Sequence, residues 1–130
     1  MKKVYIAGRY SADNVLDVLE NIRKGTRFGA VAMLNGFIPY IPWLDHQIAL
    51  ALRNDERVSV EQYKMASIEW LKVCDQVWVI PMKRMSRGVK EEILLAKKLG
   101  IPVLDVFFGD TDETVIVKNE YDFSQVENAD

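Results

Sequence analysis

Two adjacent carboxylates, Glu91 and Glu92, fall within Ser86-Arg87-Gly88-Val89-Lys90-Glu91-Glu92, at the start of a helical pattern over residues 86–99. Helical phase separates them. Glu91 has Arg87 four residues before it and Lys98 seven after, a charged stripe that faces solvent. Glu92 shares its face with Gly88, Val89, Ala96 and Leu99, small or apolar residues that should point at a core. Burying an unpaired charge is costly, so a carboxylate there must be neutralised, paired or kept for work. Its place early in the helix favours the ionised form. A fixed, ionised carboxylate beside an anion-binding loop can serve as a nucleophile. The structural alternative is a bond to a backbone N–H or a nearby tyrosine.

Two loops carry donors for an anion. Gly8-Arg9-Tyr10-Ser11 follows the first apolar run. Gly8 lets backbone approach a ligand closely, and Arg9 and Ser11 offer a charge and a hydroxyl. Ser86, Arg87 and Gly88 open a helix, where free N–H groups favour anions. Neither the P-loop nor the dinucleotide glycine pattern is present. The plainer roles are an N-cap for Ser86 and a solvated surface position for Arg9.

The elements that must position these residues alternate. Residues 4–8, 37–41, 75–81 and 101–108 read as strands, and 114–117 as a further short one. Pro39 demotes the second to a short or edge strand. Helical spacing covers 13–35, 44–53, 60–73 and 86–99, with Ser11 or Asp13 as the first N-cap and Gly100 as the last stop. Gly25 and Gly29 interrupt the first helix. This alternation predicts a single α/β domain with a doubly wound parallel sheet in three layers, Rossmann- or flavodoxin-like. Ligands of such sheets bind beyond the carboxyl ends of the strands, where the two loops should meet.

Composition narrows the function. The chain has 130 residues, one domain's worth, with 49% hydrophobic and 28% charged residues. The single cysteine, Cys74, excludes an internal disulfide and all but excludes a cysteine zinc site. It reads as buried and inert. The only histidine, His46, excludes a multi-histidine metal site, and no cofactor is implied. No apolar run reaches the roughly 18 residues of a membrane span, and the opening run is too short for a signal peptide. A cytoplasmic protein is expected. Residues 109–130 hold seven acids against one base, so they read as an acidic extension, partly ordered at most. Taking those from the chain's 19 acids and 17 bases leaves 12 and 16 in residues 1–108, a body at +4. A basic body suits an anionic ligand, while a net charge of −2 argues against a duplex nucleic acid partner. Trp43, Trp70 and Trp78 read mostly as core, with Trp43 the one placed to stack on a base.

Val4-Tyr5-Ile6-Ala7-Gly8-Arg9-Tyr10-Ser11, Glu69-Trp70-Leu71…Cys74-Asp75 and Ser86-Arg87-Gly88-Val89-Lys90-Glu91-Glu92…Ala96…Gly100-Ile101-Pro102-Val103 together resemble the nucleoside 2-deoxyribosyltransferase superfamily. The small members, such as 2′-deoxynucleoside 5′-monophosphate N-hydrolases, are most similar, and the resemblance spans residues 3–107. It implies that Glu92 attacks the anomeric carbon, giving a glycosyl-enzyme intermediate that water or a second base resolves. It implies that Tyr5 orients Glu92, and that Gly8, Arg9, Ser11 and Ser86 hold a 5′-phosphate, with Gly88 a further substrate-binding position. It further implies a nucleoside or nucleotide as the small-molecule partner, and a homo-oligomer. One departure stands out. The family places an Asp that assists the leaving base in an Asp-x-x-Trp-Leu context, and here that position is Ser67. Serine is no acid near neutral pH, and general acid help is typically worth about 10²–10⁴-fold. Asp45, His46 and Glu69 are the candidate substitutes. The alternative function is a nucleotide-binding or sensing module with little turnover; a weaker third is a subunit-interaction protein with the acidic segment as contact.

Overall fold

Short β-branched runs alternating with amphipathic helices build, in the computed structural model over its described residues 1–127, a five-stranded sheet between two helical layers. The strands are β1 (Lys3–Ala7), β2 (Ile38–Tyr40), β3 (Gln76–Val79), β4 (Val103–Phe108) and β5 (Ile116–Glu120), in the order β2-β1-β3-β4-β5. The first four are parallel, as expected of a doubly wound sheet, and β5 runs antiparallel to β4. The last strand lies at Ile116–Glu120 rather than 114–117 because Gly109 N–H donates to Val115 O at 2.8 Å and closes a tight hairpin first. So short a return permits only antiparallel pairing. β2 lies at one end of the sheet, where Pro39 is tolerated.

The helices are α1 (Val15–Leu34), α2 (Asp45–Ala51, preceded by a 3-10 turn at Pro42–Leu44), α3 (Val60–Lys72), α4 (Arg87–Leu99) and the short α5 (Ser124–Glu127). Asn14, not Ser11 or Asp13, caps α1, accepting from Asp17 N–H at 2.9 Å. Ser59 and Gln62 form a capping box on α3. Ser86 caps α4, and Gly100 ends it at φ +74°.

Alternation along β1 decides which layer each side chain meets. Val4 and Ile6 pack with Phe28, Ala32 and Trp43 on the α1 face. Tyr5 and Ala7 pack with Leu71, Val89, Ile93 and Ala96 on the face of α3 and α4. The expected boundary after residue 108 falls between two paired strands. β5 completes the sheet, and Tyr121 and Val126 are buried in the same core as Tyr5. Residues 128–130 of the acidic segment lie outside the described residues. Among the described residues no helix is long and apolar enough to cross a membrane.

Candidate functional site

Glu92 lies on the α4 flank that faces β1 and α3. There the Tyr5 hydroxyl, rising from the middle of β1, donates to Glu92 Oε2. Strand register places Tyr40 of β2 beside Tyr5, and the two rings stack at 5.4 Å between centroids. The Ser67 hydroxyl of α3 lies beside both phenols and eases their ionisation. Tyr5, Ser67 and Glu92, separated by 62 and 25 positions in the sequence, thus form one cluster with Tyr40.

The inward face of α4 differs from the expected one. Val89, Ile93 and Ala96 are buried, whereas Gly88 and Leu99 are exposed. Gly88 lies in the first turn and Leu99 is the last residue of the helix. Glu91 points away and takes Lys64 of α3 as its ion-pair partner, with Arg87 Nε at 3.4 Å. Lys64 holds the Glu91 carboxyl below its ordinary value.

Burial pushes the Glu92 carboxyl up to about 7, and the Tyr5 hydrogen bond partly counters that rise. Burial, followed by the charge of Glu92, holds the Tyr5 phenol well above 10 and keeps it a donor. Tyr5→Phe is therefore expected to move the Glu92 titration above about 7. Carboxyl-carbon NMR against pH reads this directly, and an unmoved midpoint would show that the phenol does not hold the charge.

The loops after β1 and β3 meet at the carboxyl edge of the sheet, as expected. Arg9 joins them, donating from Nε to Ser11 O at 3.0 Å and from an Nη to Arg84 O at 3.3 Å. Two of its five N–H donors are then engaged, leaving the others for an anion. Lys24 of α1 donates to Pro81 O on the same edge. Gly8 has a packing reason that composition did not suggest. A Cβ there would sit 2.7 Å from Ile80 and 2.8 Å from Trp43. Ser11 is exposed, and Ser86 Oγ accepts from Val89 N–H at 3.2 Å, the ordinary N-cap bond. That leaves the Ser86 hydroxyl proton available.

Beside the tyrosine cluster a cavity of about 500 Å³ opens between β2, α2 and α3. Tyr40, Leu44, Ile48, Tyr63 and Trp70 form much of its wall, and Asp45 lines it from the first turn of α2. His46 points elsewhere, with Nδ1 2.6 Å from Trp43 O and Nε2 3.0 Å from the Gln47 amide nitrogen. Both ring nitrogens are engaged. Glu69 is exposed and pairs with Lys72 at 3.4 Å.

The tryptophans exchange roles relative to expectation. Trp43 is fully buried and donates from Nε1 to Arg9 O at 3.0 Å, so it braces the β1 loop rather than stacking on a ligand. Trp70 is 56% exposed and stacks on Tyr40 at 5.8 Å. The spacing of Tyr63, Ala66 and Trp70 along α3 was the available signal for this shared face. Tyr40 carried none, because its partnership with Tyr5 depends on strand order. Burial pushes the Cys74 thiol to about 11, which keeps it protonated.

A family model described as "Domain of unknown function (DUF7768)" matches residues 2–106. No curated protein matches the chain. Among solved structures, a 2-deoxyribosyltransferase from Bacillus psychrosaccharolyticus is 19% identical with a TM-score of 0.59, over 98% of this chain and 92% of that one. A conserved protein from Enterococcus faecalis is 20% identical with a TM-score of 0.59, over 85% of this chain. The match spans 65% of the Enterococcus protein's length. At these identities the likeness shows the fold, a mostly parallel α/β sheet of the deoxyribosyltransferase type.

Proposed function

The chain belongs to the family described as Domain of unknown function (DUF7768), a description that names no activity, and we propose that it cleaves the N-glycosidic bond of a nucleoside or nucleoside 5′-monophosphate through Glu92. One observation carries this proposal. A carboxylate is held by a single phenolic donor, Tyr5, on an otherwise apolar helix flank beside an aromatic-walled cavity. A purely structural carboxylate gains more from a cationic partner, as Glu91 has in Lys64.

Glu92 attacks C1′ and forms an ester to the sugar as the C1′–N bond breaks and its electron pair leaves with the base. Water then displaces Glu92 from C1′. Two displacements at one carbon retain its configuration, as in retaining glycosidases. Arg9, at the seam of the two loops, and the Ser86 end of α4 suit a 5′-phosphate, with Gly8, Ser11 and Gly88 alongside. Leu50, Val60 and Trp70, exposed along α2 and α3, support a homo-oligomer.

The test incubates the protein with ribo- and deoxyribonucleosides and their 5′-monophosphates and follows free base by chromatography. Release from at least one substrate is expected. A second reading, binding without turnover, is favoured by Ser67, whose hydroxyl is no acid near neutral pH and lies beside the Tyr5 and Tyr40 phenols. A nucleotide that raises the melting temperature while no base appears would select it.

A further inference from the structure

We propose that Asp45 is the proton donor to the leaving base, which sits in the cavity between α2 and α3; this rests on the glycosidase function proposed above. Displacing a purine or pyrimidine as its anion is slow, so a glycosidase of this kind gains from an acid near the departing nitrogen. Ser67 is no such acid.

The cavity has the form of a heterocycle site. Its volume of about 500 Å³ exceeds that of a base, and its walls are chiefly apolar and aromatic. Tyr40 belongs to both regions. It lines the cavity and stacks on Tyr5, whose hydroxyl holds Glu92. A base beside Tyr40 therefore leaves its sugar toward the nucleophile.

Asp45 is the one carboxylate among the described lining residues. Among the described residues no hydrogen-bond donor or cation pairs with it. The phenols of Tyr10 and Tyr40 face it and Tyr63 lines the same cavity, and none of the three supplies positive charge. A partly desolvated carboxyl without a cation resists ionisation and is raised above its ordinary value, which suits an acid. The other candidates are placed otherwise. His46 has both nitrogens engaged, and Glu69 pairs with Lys72 on the exposed side of α3.

The step balances. The C1′–N bond breaks, its electron pair goes to the base, and the Asp45 proton is transferred to that base. Glu92 Oε gains the bond to C1′. Water then attacks C1′, the ester bond breaks to regenerate the Glu92 carboxylate, and the water's proton returns to Asp45. The sum is substrate plus water giving base plus free sugar or sugar phosphate.

The experiment compares wild type and Asp45→Asn on two substrates with the same sugar phosphate. One carries an ordinary purine. The other carries its N7-methylated form, whose base departs neutral and needs no proton. The expected result is a loss of about 10²–10³-fold on the ordinary purine and of less than about threefold on the methylated one. Asp45→Glu should recover part of the first rate, and Asp45→Ser should repeat the split if the Asn variant fails to fold. Equal loss on both substrates, or no loss on either, overturns the assignment. Wild type active on the methylated substrate alone also overturns it while leaving the glycosidase standing. Release from neither substrate sinks both.

Discussion

Glu92→Gln is expected to abolish base release, by at least about 10³-fold, and at the same time to make the protein more stable above neutral pH. The two effects share one cause. The folded protein holds the Glu92 carboxyl at about 7, above its ordinary 4.5. Between those values the native state keeps a proton that the unfolded chain has lost. The stabilisation is complete below about 4.5 and disappears as pH rises through about 7. At pH 8 the wild type carries a charge in a poor environment, held by Tyr5 and faced by Glu91 and Lys64 from α4 and α3. Glutamine keeps the shape without the charge. The gain at pH 8 should be about 1–3 kcal/mol, a rise in melting temperature of about 3–10 °C, shrinking toward zero near pH 5. Melting curves across that range, beside base release, decide it. A variant that loses activity and stability together at pH 8 would mark Glu92 as an ordinary structural partner of Tyr5. On the N7-methylated substrate, whose base needs no proton, the wild-type rate should itself rise with pH through about 7, since attack needs the ionised carboxylate.

Some of this was legible in the sequence and some was not, for physical reasons. Local physics fixes a cap, a helical phase or a stop, so Ser86, Gly100 and the inward turn of Glu92 follow from a few neighbouring residues. The alternation of elements likewise yields the α/β class. The pairing of Tyr5 with Tyr40 requires knowing that β2 lies beside β1, which no short window contains. Trp43 and Trp70 look alike in composition, yet the approach of α1 to the Pro42–Leu44 turn buries one and α3 exposes the other. Charge misled at the C-terminal end. The acids of 110–122 lie on exposed positions of the hairpin, of β5 and just beyond it, while Tyr121 and Val126 belong to the core. Gly25 and Gly29 read as weak points in the first helix and are contact points for Trp43 and Ile41, and Gly8 packs as closely on Ile80 and Trp43.

Gly25→Ala should be strongly destabilising, because a Cβ there would overlap the Trp43 ring. Alanine normally improves a helix interior by about 1 kcal/mol over glycine, and Gly25 lies in the middle of α1. Here the sign reverses. A Cβ at Gly25 would land in the Trp43 indole, which is fully buried between α1 and the sheet. Trp43 cannot retreat without giving up the bond from Nε1 to Arg9 O at 3.0 Å. Either α1 shifts off the sheet or the ring turns out of its slot. Overpacking of this kind costs about 3 kcal/mol, a large share of the 5–15 kcal/mol that typically holds a domain together. The loss reaches the site through Arg9, whose carbonyl Trp43 anchors and whose guanidinium ties the β1 loop to Arg84 O. A phosphorylated substrate should therefore lose more affinity than its unphosphorylated nucleoside in whatever fraction remains folded. Denaturant melts and the KM ratio of the two substrates measure this. A variant as stable as wild type, with that ratio unchanged, would show that Trp43 is free to move and does not brace the loop.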